Sequence, residues 1–391
     1  MSVSTMSPAA AGAAAGPGAV PFSIASRTQG RFSALQASVS NLTAGGSFQP
    51  IQLAATGWVR YIELFVTATM AASAGGAVVA GDPPWNVISA VTLTDATGQP
   101  VYQPITGYNL YLLNKYLPAG NVNMNESPMA WNSDPHMGPE YAYSATATTG
   151  TAVFRLRLEF EQDQRTGYGS IPNLDSNASL QLKVDYSTAA TIFAGTLTAS
   201  TLALRVSQHY YAPVSSSMGG SPVNNMPIGA GDYLETRFET QVVSAASENL
   251  VSLTNRGGLL KGSLLVSRAA GVRTAITAAS NFGVILDNVP IFEGIPIEEW
   301  HALVRRATGY LGADLTTSYA ALTAGVLPGL DRGVIPLPWD IFQSNRDSWL
   351  NTRVGSLYQV RLTPGAAATT LEVVTQLAQV RDAGAFYDRG A

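Results

Sequence analysis

A strict alternation of apolar and polar residues is the feature that most constrains how this chain folds. The segment AVFRLRLEFE (152–161) has Phe154, Leu156, Leu158 and Phe160 at every second position, with Arg155, Arg157 and Glu159 between them. Successive side chains of a strand point to opposite faces, so this spacing puts the apolar set on one face and the charges on the other. It predicts a β-strand with one buried face and one wet face.

Segments of the same character recur along the chain. We predict further strands at residues 58–69, 90–95, 180–186, 202–210, 233–243, 259–267, 282–288, 356–362 and 370–380. Short stretches rich in Gly, Pro or Asp separate these runs, as tight chain reversals require. The chain is therefore predicted to be mainly β.

Two short helices interrupt this pattern. The first is predicted over 106–117, where Thr106 has the hydroxyl of a good N-cap and leucines recur at helical spacing. The second is predicted over 295–309, with Pro296 at the first helical position and acidic residues in the first turn. Both helices follow a strand and a short turn.

The two halves of the chain resemble each other. LAATGWVRYIELFV (53–66) and LTNRGGLLKGSLLV (253–266) share a Leu at the start, Gly57 and Gly257, and three apolar residues at the end. Later pairs of similar segments follow at separations that fall steadily, from 200 positions here to 192 between Asp95 and Asp287 and 169 between Leu202 and Leu371. An ordered series of this kind indicates a duplicated unit whose loops have changed in length.

The length of 391 residues also favours two units, because single cores rarely grow past about 250–300 residues. We predict an N-terminal arm at 1–39, a first unit at 40–212, a Pro/Gly/Ser-rich linker at 213–231 and a second unit with a C-terminal tail at 232–391. Strands joined by crossover helices are not evident, which favours antiparallel sheets. About eight strands per unit fit an eight-stranded jelly roll. The predicted fold class is all-β, with two tandem jelly-roll sandwiches and two short helices.

Composition narrows the possible functions. Charged residues make up 12% of the chain, about half the usual share. This shortage has two readings: a bias of the source genome, or a surface that neighbouring subunits cover. The net charge of −4 and the lack of any basic tract give no basis for nucleic-acid binding, and the absence of cysteine excludes disulfides and thiolate chemistry.

The first 30 or so residues are rich in Ala, Gly and Pro and have no cation before Arg27. They lack the basic start of a secretory signal, and no window of the chain is apolar enough to predict a membrane span. We interpret them either as an arm that orders against partner subunits or as a disordered tail.

Residues with catalytic or ligand chemistry are sparse and poorly grouped. The three histidines are His136, His209 and His301, and none has a second His at metal-ligand spacing. Acidic groups occur at Glu159/Glu161/Asp163, Glu298/Glu299 and Asp382/Asp388. Strand alternation explains Glu159, and a helix N-terminus explains the Glu298 pair. We therefore predict no catalytic, cofactor-binding or metal-binding residue and no cofactor.

Aromatic residues in loops support one alternative. Trp131, Tyr141, Tyr143 and Tyr168 lie in segments predicted as loops, where rings stack on sugars in glycan-binding proteins. They would equally serve to pack against neighbouring loops or subunits. The alternative function is a non-enzymatic β-sandwich binding module, such as a viral spike or lectin-like glycan binder, and a glycan-processing enzyme is a third class.

Taken in order, these segments resemble a known family. GWVRYIELFVTAT (57–69), the strand–turn–helix block WNVISAVTLTDATGQPVYQPITGYNLYLLNKY (85–116), AVFRLRLEFE (152–161), LQLKVDYST (180–188) and LALRVSQHYYAP (202–213) are similar to the first jelly roll of tectivirus-type double jelly-roll major capsid proteins. The second half matches that family by architecture more than by residues.

The resemblance implies a structural role without catalysis. In that family, three chains form a pseudo-hexagonal trimer, and many trimers tile an icosahedral shell, commonly over an internal membrane. It implies a homotrimer as partner, together with neighbouring capsomers, penton and minor structural proteins, and contact with an internal viral membrane. It also implies a bacteriophage-like virion location after assembly in the host cytoplasm. The arm at 1–39 lacks the amphipathic character that lipid contact would need.

Overall fold

The fold is described from a computed structural model. It describes residues 29–35, 39–40, 45–72, 78–79, 82, 84–95, 97–117, 140–141, 149–162, 167–176, 179–188, 193–194, 197–212, 217–218, 221–222, 233–254, 257–274, 276, 281–308, 333–339, 349–352, 357–365, 368 and 370–378.

The described part of the first half contains fourteen strands, one 3₁₀ turn and one α-helix. The strands are β1 (Gln29–Leu35), β2 (Val39–Ser40), β3 (Gly46–Ser47), β4 (Ile51–Gln52), β5 (Gly57–Ala72), β6 (Val78–Val79), β7 (Ile88–Thr94), β8 (Pro100–Ile105), β9 (Glu140–Tyr141), β10 (Thr149–Glu159), β11 (Ile171–Asn173), β12 (Gln181–Tyr186), β13 (Phe193–Ala194) and β14 (Leu197–Tyr211). The 3₁₀ turn is Trp85–Val87, and helix α1 is Gly107–Tyr116.

The described part of the second half has the same plan. After β15 (Ser217–Met218) and β16 (Ser221–Pro222) come β17 (Leu234–Val242), β18 (Asn249–Ser252), β19 (Leu259–Ala269), β20 (Val272–Arg273), β21 (Asn281–Leu286), β22 (Val289–Pro296), helix α2 (Ile297–Thr308), β23 (Val334–Pro338), β24 (Leu350–Asn351), β25 (Tyr358–Leu362) and β26 (Thr370–Ala378). The predicted strands and both predicted helices are present.

The order of strands in the sheets defines two jelly rolls. In the first half, one sheet runs β1-β14-β5-β10, and the facing set runs β4-β12-β7-β8. In the second half, β17-β26-β19-β23 and β18-β25-β21-β22 repeat both orders strand for strand. We call these units the first roll and the second roll. The predicted pair of tandem eight-stranded jelly rolls is confirmed.

Alternation in the sequence explains the packing of each sheet. Phe154 and Leu156 on β10 are fully buried and lie opposite Val66 and Leu64 of β5, whereas Arg155 between them points to the other face and is exposed. A slip of one residue would move this whole apolar set into solvent, which is why the pattern specifies the register.

The helix starts follow from local sequence. The Oγ1 atom of Thr106 accepts a hydrogen bond from the backbone N–H of Asn109 at 3.1 Å, so Thr106 is the N-cap of α1 as predicted. Helix α2 begins at Ile297, one residue later than the predicted first helical position, because Pro296 is still the last residue of β22.

Sequence reasoning missed several strands, among them three at sheet edges: β8, β22 and β1. Both β8 and β22 contain two prolines, which cannot donate to a ladder and which obscure the strand pattern. Both occupy the edge of the described sheet of their own roll, where proline is tolerated. Strand β1 falls inside the segment predicted as an arm (1–39), and it pairs antiparallel with β14 over its whole length.

The duplication is real, but its residue alignment slips by one. Gly57 and Gly257 both have positive φ, 141° and 104°; Gly57 is the first residue of β5, and Gly257 lies two residues before the equivalent strand β19. Leu64, however, faces the core of the first roll, because its strand neighbours Tyr61, Glu63 and Phe65 form the outer face. Leu264 lies on the outward face of β19 that also carries Gly262 and Arg268, as the contacts of those residues with the first roll show. Because the two strands have similar composition, the sequence comparison paired a core-facing position of β5 with an outward-facing position of β19.

The two rolls are joined through one sheet. Strand β8, at the edge of the first roll, pairs in parallel with β17 of the second roll, with Tyr102 opposite Thr236. The backbone N–H of Phe238 also donates to Oε1 of Gln103 at 2.9 Å. Buried apolar residues of both rolls belong to one contiguous core. The rolls are therefore held side by side as one unit.

Candidate functional site

Helix α1 and a group of buried polar side chains lie in the contact between the two rolls. Helix α1 follows the edge strand β8, and all ten of its residues are buried. Its inner side packs on the first roll, where Asn114 bonds the backbone N–H and C=O of Arg157, each at 2.8 Å. Its outer side packs on the sheet of the second roll that contains β19 and β26. A helix with no exposed face marks an interface on both sides.

A buried ionic cluster ties the N-terminal part of this contact together. Oδ2 of Asp82, in the loop that leads to the 3₁₀ turn, lies 2.6 Å from Nη1 of Arg268 on β19. Oδ1 of Asp82 also pairs with Nε of Arg273. Nε of Arg268 lies 2.7 Å from Oε2 of Glu372 on β26, and Nδ2 of Asn109 donates to that same carboxylate at 3.2 Å. The guanidinium of Arg273 lies over the ring of Tyr108, 4.3 Å from its centre.

The ionisation of this cluster follows from its burial and its partners. Burial alone would raise the pKa of Asp82, but the guanidinium groups of Arg273 and Arg268 outweigh it and hold the pKa below its usual value. Burial likewise works against the charge on Arg268, yet Asp82 and Glu372 raise its pKa above its usual value. Each charge therefore depends on a partner, and the partners come from both rolls.

Close packing holds the C-terminal end of α1. Nζ of the buried Lys261 donates to the carbonyl oxygen of Leu117 at 3.0 Å. Beside it, Gly262 leaves the space that the Leu117 side chain occupies, because a Cβ at this position would overlap Leu117 and lie 2.8 Å from the carbonyl oxygen of Leu337. The glycine permits the helix and the strand to approach closely.

Helix α2, the counterpart of α1, is covered on one side only. Ile297, Trp300, His301 and Val304 are buried at the spacing of one helix face, and Nε1 of Trp300 donates to the carbonyl oxygen of Pro336 at 2.7 Å. The opposite side consists of Glu298, Glu299, Ala302 and Leu303, which are all exposed. We call these four residues the helix face.

The outer surface of the first roll's sheet carries a row of charges and rings. Across strands β10, β5 and β14, Arg155, Phe65 and Arg205 lie side by side, and the next row is Arg157, Glu63 and Ser207. We call the outward residues of these three strands the sheet face. Arg155 and Arg205 are exposed, and within the described part of the chain neither forms an ion pair.

On one side of the sheet face, the carboxylate of Glu63 lies close to the basic side chains His209 and Arg157. Nε2 of His209 lies 3.9 Å from Oε2 of Glu63, and its ring stacks on Tyr61 with centres 4.2 Å apart. His209 lowers the pKa of Glu63, burial raises it, and Arg157 adds to the lowering, so that the net pKa lies below the usual value. The unbalanced positive charge of this face is thus at Arg155 and Arg205.

Within the described part of the chain, the histidines and acidic groups singled out in the sequence are not brought together as a reaction centre. His301 is buried beneath α2, and His209 lies on the sheet face, whereas His136 lies outside the described residues. Glu161 is buried against Nε of Arg60 at 2.7 Å and accepts a hydrogen bond from the Tyr211 hydroxyl at 2.5 Å. Glu298 and Glu299 are on the helix face, and Asp163, Asp382 and Asp388 are outside the described part.

Of the four aromatic residues that favoured the glycan-binding alternative, only Tyr168 has a described side chain. Tyr168 is buried, with 8% of its surface exposed, so its ring is not available to stack on a sugar. Trp131 and Tyr143 lie outside the described residues, and the side chain of Tyr141 on β9 is likewise not described.

Among the described residues, no group of three or more His, Cys, Asp or Glu side chains is placed to hold a metal ion. No α-helix in the same ranges combines the length and the apolar character needed to cross a bilayer.

The residues that join the rolls could not be found in the sequence. Asp82 stands in an ordinary turn sequence, and Arg268 and Arg273 border a short hairpin. Only the antiparallel pairing of β19 with both β20 and β26 brings Arg268, Arg273 and Glu372 together. Asp82 is 186 positions from Arg268, and a contact at that separation leaves no local signal.

Solved structures share the fold of this chain. The chain is similar to the STIV major capsid protein, at 12% identity and a TM-score of 0.57, with 93% of this chain and 99% of that one covered. A chain from the atomic structure of Sulfolobus Turreted Icosahedral Virus has 13% identity and a TM-score of 0.59, with 92% of both chains covered. A chain of the PBCV-1 virus capsid has 10% identity and a TM-score of 0.54, with 90% of this chain and 94% of that one covered.

No protein-family model and no curated protein matches the sequence. The similarity therefore lies in the fold. Its structural neighbours are double jelly-roll major capsid proteins, and the present chain has their fold over most of its length. The resemblance to double jelly-roll major capsid proteins that the sequence indicated is therefore confirmed for the fold.

Proposed function

We propose that this chain is the major capsid protein of an icosahedral virus and acts by self-assembly, without catalysis. The observation that carries the proposal is the close pairing of two equivalent jelly rolls in one chain, with α1 and a buried ionic cluster between them. Three such chains supply six similar rolls, which is the number that a pseudo-hexagonal building block needs. The match in fold to viral major capsid proteins supports the same role.

The finer parts of the proposal follow the family resemblance. The chain forms a homotrimer that contacts neighbouring capsomers, penton and minor structural proteins, in a shell assembled in the host cytoplasm over an internal membrane. Its domain order is an N-terminal arm, a first roll, a linker at 213–231 and a second roll with a C-terminal tail. The low charged fraction of 12% suits a surface that is extensively covered by other subunits.

The proposal is tested by the size of the purified full-length protein. Size-exclusion chromatography with light scattering should give a particle of three times 41.0 kDa, or shell-sized assemblies that electron microscopy shows as hexagonally packed capsomers. A chain that stays monomeric at every concentration and salt condition would contradict the proposal. Glycan-array binding by such a monomer would then favour the binding-module alternative.

A further inference from the structure

We propose that the helix face of the second roll docks onto the sheet face of the first roll in another copy of this chain. This inference rests on the proposed capsid role, and it assigns the surfaces through which subunits meet. It follows from comparing the two helices position by position, because one helix is covered within the chain and the other is not.

The two helices start at equivalent places. Gly107 and Ile297 are the first residues of α1 and α2; Gly107 follows edge strand β8 after the N-cap Thr106, and Ile297 follows the last residue of edge strand β22 directly. Counted from these starts, the exposed Glu298, Glu299, Ala302 and Leu303 of α2 stand at the places of Tyr108, Asn109, Leu112 and Leu113 of α1. Those four residues of α1 are buried, and Tyr108 and Asn109 directly contact Arg273 and Glu372 of the second roll.

The surface that covers α1 has a free counterpart. Helix α1 lies on the sheet that contains β17, β26 and β19, whose equivalents in the first roll are β1, β14 and β5. Every residue of β19 from Leu259 to Arg268 is buried, since the core covers one face and α1 covers the other. On β5, by contrast, Tyr61, Phe65 and Thr67 remain half-exposed on the outer side.

The sheet edges repeat the same relationship. Within the chain, edge strand β8 pairs in parallel with edge strand β17. Their equivalents are β22 and β1, and in the described sheets each ends its sheet with one side unpaired. An unpaired edge is a ready template for another strand. The β22 edge of one copy thus fits the β1 edge of the next, as β8 fits β17.

Charge favours this pairing of surfaces. The N-terminal end of α1 lies near Glu372, at the start of β26 and across from the end of β19. The equivalent place on β14 of the first roll holds Arg205, opposite Phe65 of β5, with Arg155 on the far side of Phe65. Glu298 and Glu299, which begin α2, would therefore face the two exposed arginines. Opposite charges on facing surfaces select the partner and its orientation.

The contact joins two different surfaces and is therefore head to tail. Such contacts form closed rings when the rotation between neighbours divides a full turn. Within the chain, a contact of the same kind relates the first roll to the second, so three copies joined in this way would carry six rolls. They close into a ring if each copy is rotated by one third of a turn from the next.

Charge reversal tests the inference on the full-length protein. One variant carries Arg155→Glu with Arg205→Glu, a second carries Glu298→Arg with Glu299→Arg, and a third combines all four changes. Each of the first two should weaken the trimer by more than about tenfold in dissociation midpoint, because like charges then face each other. The combined variant should recover much of the wild-type trimer, and Lys183→Glu, on the other sheet of the first roll, is the matched control.

The outcomes separate this inference from the capsid role. A wild-type trimer that all three variants leave unchanged overturns the proposed contact and leaves the capsid role standing. A wild-type chain that never associates overturns both. Circular dichroism and thermal unfolding of each variant show whether a loss of trimer comes from misfolding, and recovery in the combined variant excludes that cause.

Cross-linking provides a measurement that does not depend on stability. The chain has no cysteine, so Glu298→Cys with Ala203→Cys introduces the only two thiols, one on each surface. A short bismaleimide should link them between copies and yield covalent dimers and trimers. Replacing Glu298→Cys by Leu250→Cys, an exposed position on β18, is the control and should yield monomers. Equal cross-linking in both variants would contradict the assignment.

Discussion

Nη1 of Arg268 lies 2.6 Å from Oδ2 of Asp82, and this pair joins a strand of the second roll to a loop of the first. Asp82 has φ = 64°, in the left-handed region that an Asp tolerates better than most residues. The carboxylate is buried and also pairs with Arg273. The contact between the rolls thus depends on one acidic side chain that balances two cations.

Removal of this carboxylate should strongly destabilise the chain. Asp82→Asn leaves Arg268 with Glu372 as its remaining acidic partner and deprives Arg273 of its ion pair with Asp82. We expect a loss of about 3–5 kcal/mol in the free energy of unfolding, the usual cost of breaking a buried ion pair from one side. Urea denaturation followed by tryptophan fluorescence measures it. Lys183→Met breaks the exposed Lys183–Asp185 pair and should cost less than about 1 kcal/mol.

The same carboxylate should make stability depend on acid pH. Because the pKa of Asp82 is lower in the folded than in the unfolded chain, its contribution is complete above the unfolded value of about 3.9 and disappears as the pH falls through the folded value. The denaturation midpoint of the wild type should therefore fall more steeply below about pH 4 than that of Asp82→Asn. Glu63 contributes in the same direction in both proteins, so the difference between the two curves isolates Asp82. Parallel curves would show that Asp82 does not titrate as stated.

The close approach at Gly262 should not tolerate a larger side chain. Gly262→Val places atoms where the Leu117 side chain lies, so either α1 or β19 has to shift. We expect a loss of about 1–3 kcal/mol, the usual range for overpacking a filled site. The control is Gly283→Ala, in a less crowded part of β21, which should cost less free energy of unfolding. Gly271→Val would not serve as a matched control, because φ is 82° at that position. Thermal unfolding compares Gly262→Val with Gly283→Ala, and an equal effect would argue against the contact with Leu117.

The N-cap of α1 should contribute measurably to stability. Thr106→Ala removes the oxygen that accepts from the backbone N–H of Asn109, at a cost of about 1 kcal/mol. Thr106→Ser retains that acceptor and should stay within a few tenths of the wild type. Since α1 is buried between the rolls, hydrogen exchange at its first turn should also be faster in Thr106→Ala. An unchanged exchange rate would mean that packing alone holds the start of this helix.

Much of the fold could be predicted from local patterns. Alternation and similar apolar runs located β5, β10, β12 and β14, and β19, β25 and β26 in the second roll, since a strand with one buried face needs apolar side chains at every second position. It did not find β8 and β22, because prolines in edge strands hide the pattern. It also aligned Leu64 with Leu264, which face opposite sides of their sheets. Composition identifies a segment as a strand, but it does not determine which of the two faces of that strand points to the core.

The sequence by itself determined the strands, the two helices and the duplication, because each leaves a signal within a few residues or in the order of segments. Only the tertiary structure decided which surfaces are covered. Helices α1 and α2 arise from equivalent blocks, yet α1 is buried on all sides and α2 on one, since only α1 has a second roll beside it. The ionic cluster of Asp82, Arg268 and Glu372 likewise exists only because the fold brings distant segments together. Burial and charge pairing depend on which surface packs against a residue, and the local sequence does not specify that surface.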